Sequence, residues 1–149
     1  MTTTESWRQF LGRVAPTYQV FDGMPWGQYA LLEETFGMPV HKELRGLLEE
    51  TNGTCDESGF YLVWSIERMI SENSRIRLDQ RLRKQYMPLD CLFFFGDAGN
   101  GDLFGHAVVA GEIACSDIFC WSHEDDSRTV VATNLRRFIE GWLDGSIEI

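Results

Sequence analysis

The spacing of apolar residues changes at Pro88, and this change constrains the fold more than any other feature of the sequence. Before Pro88, apolar residues recur with the spacing of one helix face, as in Trp7, Phe10 and Leu11. After Pro88, they form continuous runs of strand length, separated by turns that contain Gly or Asp. The sequence therefore predicts helices first and strands later.

Helices are predicted at residues 7–14, at 29–36, from Pro39 to Asn52, and from Ile66 onward, where Ser65 is suited to cap the first turn. A short aromatic run at residues 60–64 predicts a strand. Residues 75–86 have an ambiguous pattern that fits a helix or a loop. His41 is predicted to be a solvated helix residue.

The runs at residues 92–95, 104–109 and 118–121 predict an antiparallel meander, with residues 129–132 as a short edge strand. A last helix is predicted over 135–143, where five apolar residues share one face and Thr133 or Asn134 can cap it. The predicted fold class is α+β, with helices packed on one face of a largely antiparallel sheet and a closing C-terminal helix.

A chain of 149 residues that is 44% hydrophobic is long enough for one domain with its own core, so a single domain over 1–149 is predicted. No apolar run approaches the ~18 residues of a membrane helix, and residues 1–20 lack a signal-peptide pattern, which predicts a soluble cytoplasmic protein. The four cysteines contain no C-x-x-C pair, and we expect buried thiols, no zinc site and no cofactor.

Charge is distributed unevenly along the chain. The net charge is −10, which disfavours nucleic acids and anionic membranes as partners and favours basic proteins. Residues 97–126 carry seven carboxylates and no Lys or Arg, whereas residues 75–84 carry five basic side chains. A solvated surface without a partner is the alternative interpretation of both segments.

The segment from Phe95 to Asp102 is rich in Gly and Asp but lacks the lysine of a phosphate-binding loop. An EF-hand loop that began at Asp97 would need an acid where Val108 stands. Gly99, Asn100 and Gly101 therefore predict a tight turn between two strands, with a partner site or a weak cation site as alternatives.

Residues 121–126 place His123 beside three carboxylates, which is the composition of an acid–base or metal site. Because the side chains of consecutive residues point in different directions, such a site would also need side chains from elsewhere in the sequence, for example His106. A polar turn, a partner-binding face and a metal site all stay open here, and no catalytic residue is predicted. The candidate partner-binding residues are Asp97, Asn100, Asp102, Trp121, His123, Glu124, Asp125 and Asp126.

Taken in order, several segments resemble the SUKH superfamily, named for yeast regulators of cell-wall synthesis and killer-toxin resistance. They are the helix from Met38-Pro39 to Asn52-Gly53, then Leu62-Val-Trp-Ser65, Leu92-Phe-Phe-Phe-Gly-Asp97, Gly101-Asp102-Leu-Phe104, Phe119-Cys-Trp-Ser-His-Glu124 and the final helix. The resemblance covers residues 30–145 and implies an α+β fold with a role in protein interaction. It implies no catalytic residues.

Many bacterial members of that superfamily are thought to be immunity proteins that neutralise toxins, often nucleases. The first hypothesis is therefore an inhibitory module, a monomer or weak homodimer, that binds a basic toxin or nuclease domain and neither nucleic acid nor membrane. A metal-dependent hydrolase that uses His106, His123 and nearby carboxylates is one alternative. A solitary intracellular regulatory scaffold is the other.

Overall fold

The computed structural model describes residues 5–149. Within this range six helices and seven strands form an α+β fold, which confirms the predicted class. The elements, in chain order, are α1 (Trp7–Val14), β1 (Gln19–Val20), α2 (Trp26–Phe36), α3 (Lys42–Glu50), β2 (Thr54–Cys55), β3 (Tyr61–Val63), α4 (Ile66–Leu78), α5 (Gln80–Gln85), β4 (Leu92–Asp97), β5 (Leu103–Ala107), β6 (Ile118–Trp121), β7 (Arg128–Ala132) and α6 (Leu135–Leu143).

Strands β4 to β7 form the predicted antiparallel meander in sequence order. The face that carries Phe93, Phe95 and Phe104 packs against helices: Phe93 meets Phe36 of α2, and Phe95 and Phe104 meet Phe138 of α6. Residues Leu92 to Gly96 are all buried, so this strand reads as a continuous apolar run.

The outer edge of β4 is covered by two different partners. The side chain of Asn73 in α4 is buried. Its Oδ1 accepts from the backbone N–H of Phe94 at 2.8 Å, and its Nδ2 donates to the Phe94 carbonyl at 2.8 Å. One residue further along, the Trp64 amide donates to the Phe95 carbonyl at 2.8 Å. These bonds satisfy an edge that would otherwise present unpaired backbone groups.

Strands β1, β2 and β3 form a second antiparallel sheet in that order. Only β3 was predicted, because β1 and β2 have two residues each. The sheets approach closely where β3 passes β4, and a Cβ added to Gly96 would lie 2.8 Å from the Leu62 carbonyl oxygen.

Local side chains set most helix ends. Ser65 caps α4 and Asn134 caps α6, as the sequence predicts. The ambiguous residues 75–86 are mostly helical, since α4 runs to Leu78 and the Asp79 carboxylate then accepts from two amides of α5.

Two predictions need correction. His41 is not solvated: it is 5% exposed, and its Nδ1 accepts from the Glu43 amide, so α3 begins at Lys42 and not at Pro39. Of the four cysteines, Cys55 and Cys120 are buried, but Cys91 and Cys115 are exposed. None of the helices within residues 5–149 is long and apolar enough to cross a membrane.

Candidate protein-binding surface

The meander brings the two acidic segments of the sequence to one end of the sheet. The turn at 97–102 joins β4 to β5, and the turn at 122–127 joins β6 to β7. In a meander every second connection lies at the same end, so these turns are neighbours. The Asp102 carboxylate accepts from the His123 amide at 3.1 Å and lies 2.6 Å from His123 Nδ1. We call these two turns the hairpin end.

The first turn has the tight form that its glycines predict. The Ala98 amide donates to the Asp102 carbonyl at 3.0 Å, and the Asn100 side chain accepts from the Asp102 amide at 2.9 Å. Gly101 has φ of 103°, and a Cβ there would lie 2.9 Å from His123 Nδ1. Glycine is therefore required both by the backbone and by the ring of His123.

Asp97 is held inside the molecule. Its carboxylate accepts from Trp64 Nε1 at 2.9 Å, from Arg68 Nη2 at 3.2 Å and from the Gly99 amide at 3.0 Å. Its side chain is only 17% exposed. Asp97 therefore stabilises the first turn, and little of its side chain is exposed to a partner.

Asp126 and Trp121 have a similar internal role in the second turn. Trp121 is buried, and its Nε1 donates to Asp126 Oδ1 at 2.7 Å. Asp126 also accepts from the Met87 amide and from Arg128 Nη2, both at 3.0 Å. Burial raises the pKa of Asp126, but these hydrogen bonds outweigh burial, and the net effect lowers it.

Asp102 is buried too, at 7% exposed, so four of the eight candidates face solvent. Asn100, Glu124 and Asp125 are exposed, and the side chain of His123 is 39% exposed. Hydrogen bonds from Ser127 and Ser122 lower the pKa of Asp125, so its charge is kept at neutral pH. A partner that approaches the hairpin end would meet these four residues first.

An open cleft of about 380 Å³ lies beside the hairpin end. Carboxylates of Asp102, Glu124, Asp125 and Glu148 line it, and its lining within residues 5–149 contains no Lys or Arg. We call it the acidic cleft. Glu148 was missed by the sequence reasoning, because no pattern in the last residues indicates that they return to the second turn. The cleft also contains Cys120, whose pKa is raised to about 11 by burial and by Asp102, so the thiol stays protonated.

A second groove, of about 390 Å³, lies on the other side of the hairpin end. Its walls include Trp64, Arg68, Tyr86, Trp121 and His123. The Tyr86 ring packs edge-on against Trp121 with centroids 5.0 Å apart. This groove is mixed in charge, whereas the acidic cleft has one sign only.

The histidines of the hydrolase alternative lie in different surroundings. His106 is completely buried, with its ring stacked on His41 at 5.1 Å, while His123 lies at the hairpin end against Asp102. Burial and the neighbouring His41 lower the pKa of His106 to about 3. Among residues 5–149, no group of three or more His, Cys, Asp or Glu side chains is placed to hold a metal ion.

Comparison with known proteins gives the family. No curated protein matches the chain. A family model, SUKH_6, described as SMI1-KNR4 cell-wall, matches residues 27–139, which include the whole of the hairpin end. The match spans most of the chain and overlaps most of the range, residues 30–145, over which the sequence resembles the superfamily. The chain therefore belongs to the SMI1-KNR4 family of the SUKH superfamily.

Proposed function

We propose that the protein is a non-catalytic binding module of the immunity type, which neutralises a basic toxin domain by binding it. The observation that carries this proposal is the acidic cleft, which is lined by four carboxylates and, in the part of the chain that the structure describes, by no Lys or Arg. Membership of the SUKH superfamily supports it, because immunity and regulatory proteins are the types known in that family.

The acidic cleft offers, to a Lys or Arg side chain of a partner, carboxylates in ordered positions and with complementary charge. Three of its carboxylates, those of Asp102, Glu124 and Asp125, lie on turns fixed by the Asp102–His123 and Asp126–Trp121 contacts, so these turns need little ordering on binding. A nuclease binds the phosphates of its substrate with Lys and Arg, and these carboxylates would occupy the place of the phosphates. The net charge of −10 would also accelerate encounter with a basic partner.

The test requires the toxin domain encoded next to the gene for this protein. We would measure association by stopped-flow fluorescence at several NaCl concentrations, for wild type and for a triple variant, Glu124→Gln, Asp125→Asn and Glu148→Gln. We expect association to slow about 10-fold at low salt and its salt dependence to become shallower.

The matched control removes three charges elsewhere, with Glu33→Gln, Glu34→Gln and Glu57→Gln. These residues are exposed and lie outside the acidic cleft. If both triple variants slow association equally, only net charge matters and the cleft is not the binding site. A pull-down that returns host enzymes and no toxin would instead favour the regulatory scaffold.

A further inference from the structure

The basic segment at residues 75–84 plays no part in the acidic cleft. It forms the end of α4 and most of α5. Two of its five basic side chains are paired, Arg75 with Glu72 at 2.9 Å and Arg81 with Asp79 at 3.7 Å. Within residues 5–149, no carboxylate lies within 4.0 Å of the other three, which are Arg77, Arg83 and Lys84.

A groove of about 290 Å³ runs between α4, α5 and residues 87–90. Arg77 and Arg83 line it together with Asp90, and its apolar surface comes from Ile76, Leu82, Met87, Pro88 and Leu89. We call it the arginine groove. It combines positive charge with an apolar floor on a protein that is acidic elsewhere.

One lining residue of the arginine groove, Met87, is highly exposed, at 70%. Leu78 follows the lining residue Arg77 in the chain and is 74% exposed. The exposed side chain of Met87 is apolar surface of the groove that a partner could bury.

The arginines have unused hydrogen-bonding capacity. The Arg77 guanidinium stacks on Phe36 at 4.9 Å, and its Nη2 makes only long bonds, of 3.4 and 3.3 Å, to the carbonyls of Asp90 and Leu92. Its Nε has no acceptor among the described residues, but it is buried, so a partner would have to bind Arg77 through the Nη groups. Arg83 Nε donates to the Arg77 carbonyl at 2.8 Å, which holds the Arg83 side chain at the groove, and within residues 5–149 neither of its Nη groups is paired with a carboxylate. A carboxylate is the acceptor that suits such a pair.

We propose that the arginine groove docks an acidic, apolar segment of a protein partner, with a carboxylate on Arg83 and Arg77 and an apolar side chain between Leu82 and Met87. A nucleic acid or an anionic membrane carries many more negative charges than a short acidic peptide, so the net charge of −10 repels it more strongly. A short acidic peptide segment is repelled less, and it supplies an apolar side chain for the apolar residues of the groove. The arginine groove shares no lining residue with the acidic cleft, and it would bind an acidic segment where the cleft would bind a basic one.

The test uses a fluorescein-labelled peptide of alternating Glu and Leu, with fluorescence anisotropy and the full-length protein. Two matched peptides replace Glu by Lys or Leu by Ser. We expect saturable binding of the Glu/Leu peptide with a Kd below about 1 mM, and binding at least ~10-fold weaker for both matched peptides. No toxin is needed, so this result is independent of the proposed immunity function.

Protein variants locate the site. Arg83→Glu and Met87→Ser should each weaken binding, the first by about 10-fold or more. Arg137→Glu makes the same charge change on an exposed residue of α6 and should leave the affinity within about 2-fold of wild type. Circular dichroism shows whether each variant is folded.

Three results would overturn the proposal. The first is no saturation by the Glu/Leu peptide. The second is an equal effect of Arg83→Glu and Arg137→Glu, which would show that only net charge is sensed. The third is binding of RNA or phosphatidylserine vesicles that depends on Arg83 while the peptide does not bind.

Discussion

His106 is a titratable side chain with no polar partner. It is completely buried in β5, and neither ring nitrogen has a hydrogen-bond partner among residues 5–149. Its ring lies 5.1 Å from that of His41 and 5.3 Å from that of Phe95. Its pKa falls to about 3 through burial and the proximity of His41, so His106 is neutral in the folded protein.

This burial predicts a loss of stability in acid. Between its unfolded pKa of about 6.5 and its folded pKa of about 3, the unfolded chain takes up a proton that the folded protein does not. The stabilising contribution is therefore complete above pH 6.5 and is lost as pH falls, at up to about 1.4 kcal/mol per pH unit. His106→Leu removes no hydrogen bond, and its stability relative to wild type should rise as pH falls. Urea unfolding at pH 7, 6, 5 and 4 measures this, and parallel curves would contradict it.

Replacing Asp126 should lower stability for a different reason, because two donors lose their hydrogen-bond acceptor. In Asp126→Ala, Trp121 Nε1 and the Met87 amide lose their acceptor, so we expect a loss of about 1–3 kcal/mol in the free energy of unfolding. Trp121→Phe removes one of those donors, and the double variant should therefore lose less than the sum of the two single variants. Glu124→Ala, an exposed neighbour, should stay within about 0.5 kcal/mol of wild type. Strict additivity in urea unfolding would show that the two side chains are not coupled.

Elements with a strong local signal were predictable from sequence. Helix α6 has five apolar residues on one face and a capping Asn134, and the structure has the helix over Leu135–Leu143. Strands β1 and β2 have two residues each and depend on pairs such as Gln19 with Cys55, which no local pattern reveals. Short elements of this kind are specified by their distant partners.

In the candidate surface, too, the local features can be predicted from the sequence, and the contacts between distant residues cannot. The turn at 97–102 and the exposed carboxylates Glu124 and Asp125 are local features of the sequence. The internal roles of Asp97 and Asp126 depend on Trp64 and Met87, which are 33 and 39 residues away. The sequence therefore predicts eight candidate partner-binding residues, and the structure leaves four of them facing solvent.

The contact between the two turns predicts the effect of Gly101→Ala. The new Cβ would lie 2.9 Å from His123 Nδ1, and φ of 103° is unfavourable for alanine. We expect a loss of about 1–3 kcal/mol in stability and displacement of the His123 ring from Asp102.

Gly111→Ala is the matched control, because Gly111 has φ of 75° and no atom within 4 Å of the added Cβ. Gly111→Ala should lower stability only through the unfavourable φ of alanine, with no steric clash of the new Cβ. NMR of the His123 ring protons and urea unfolding distinguish the two variants. If the two glycine variants lose equal stability and the His123 shifts do not change, the close approach at Gly101 has no energetic effect.

At the scale of the whole molecule, charge is separated while the core is continuous. One buried cluster includes residues of α1, both sheets and α6, for example Phe10, Leu62, Phe95 and Phe138. On its surface, the acidic cleft and the arginine groove carry opposite signs. A rigid core with two such surfaces suits a protein that works by contact with others.

The excess of negative charge predicts that salt stabilises the fold. At a net charge of −10 the carboxylates repel one another in the compact state, and NaCl screens this repulsion. Salt also screens the ion pairs, but exposed pairs such as Arg45 with Glu49 contribute little. We expect Tm to rise by about 3 °C between ~10 and ~500 mM NaCl, corresponding to about 1 kcal/mol.

The distribution of charge makes this last prediction specific. Glu124→Gln with Glu148→Gln removes two carboxylates of the acidic cleft, so it should raise Tm at low salt and reduce the increment that NaCl produces. Lys84→Gln makes the chain more negative and should enlarge the increment. Differential scanning calorimetry measures both effects. A Tm that falls with NaCl in wild type would mean that attraction within ion pairs outweighs repulsion among the carboxylates of the acidic cleft. Arg128 with Asp126, at 3.0 Å and largely shielded from solvent, is such a pair.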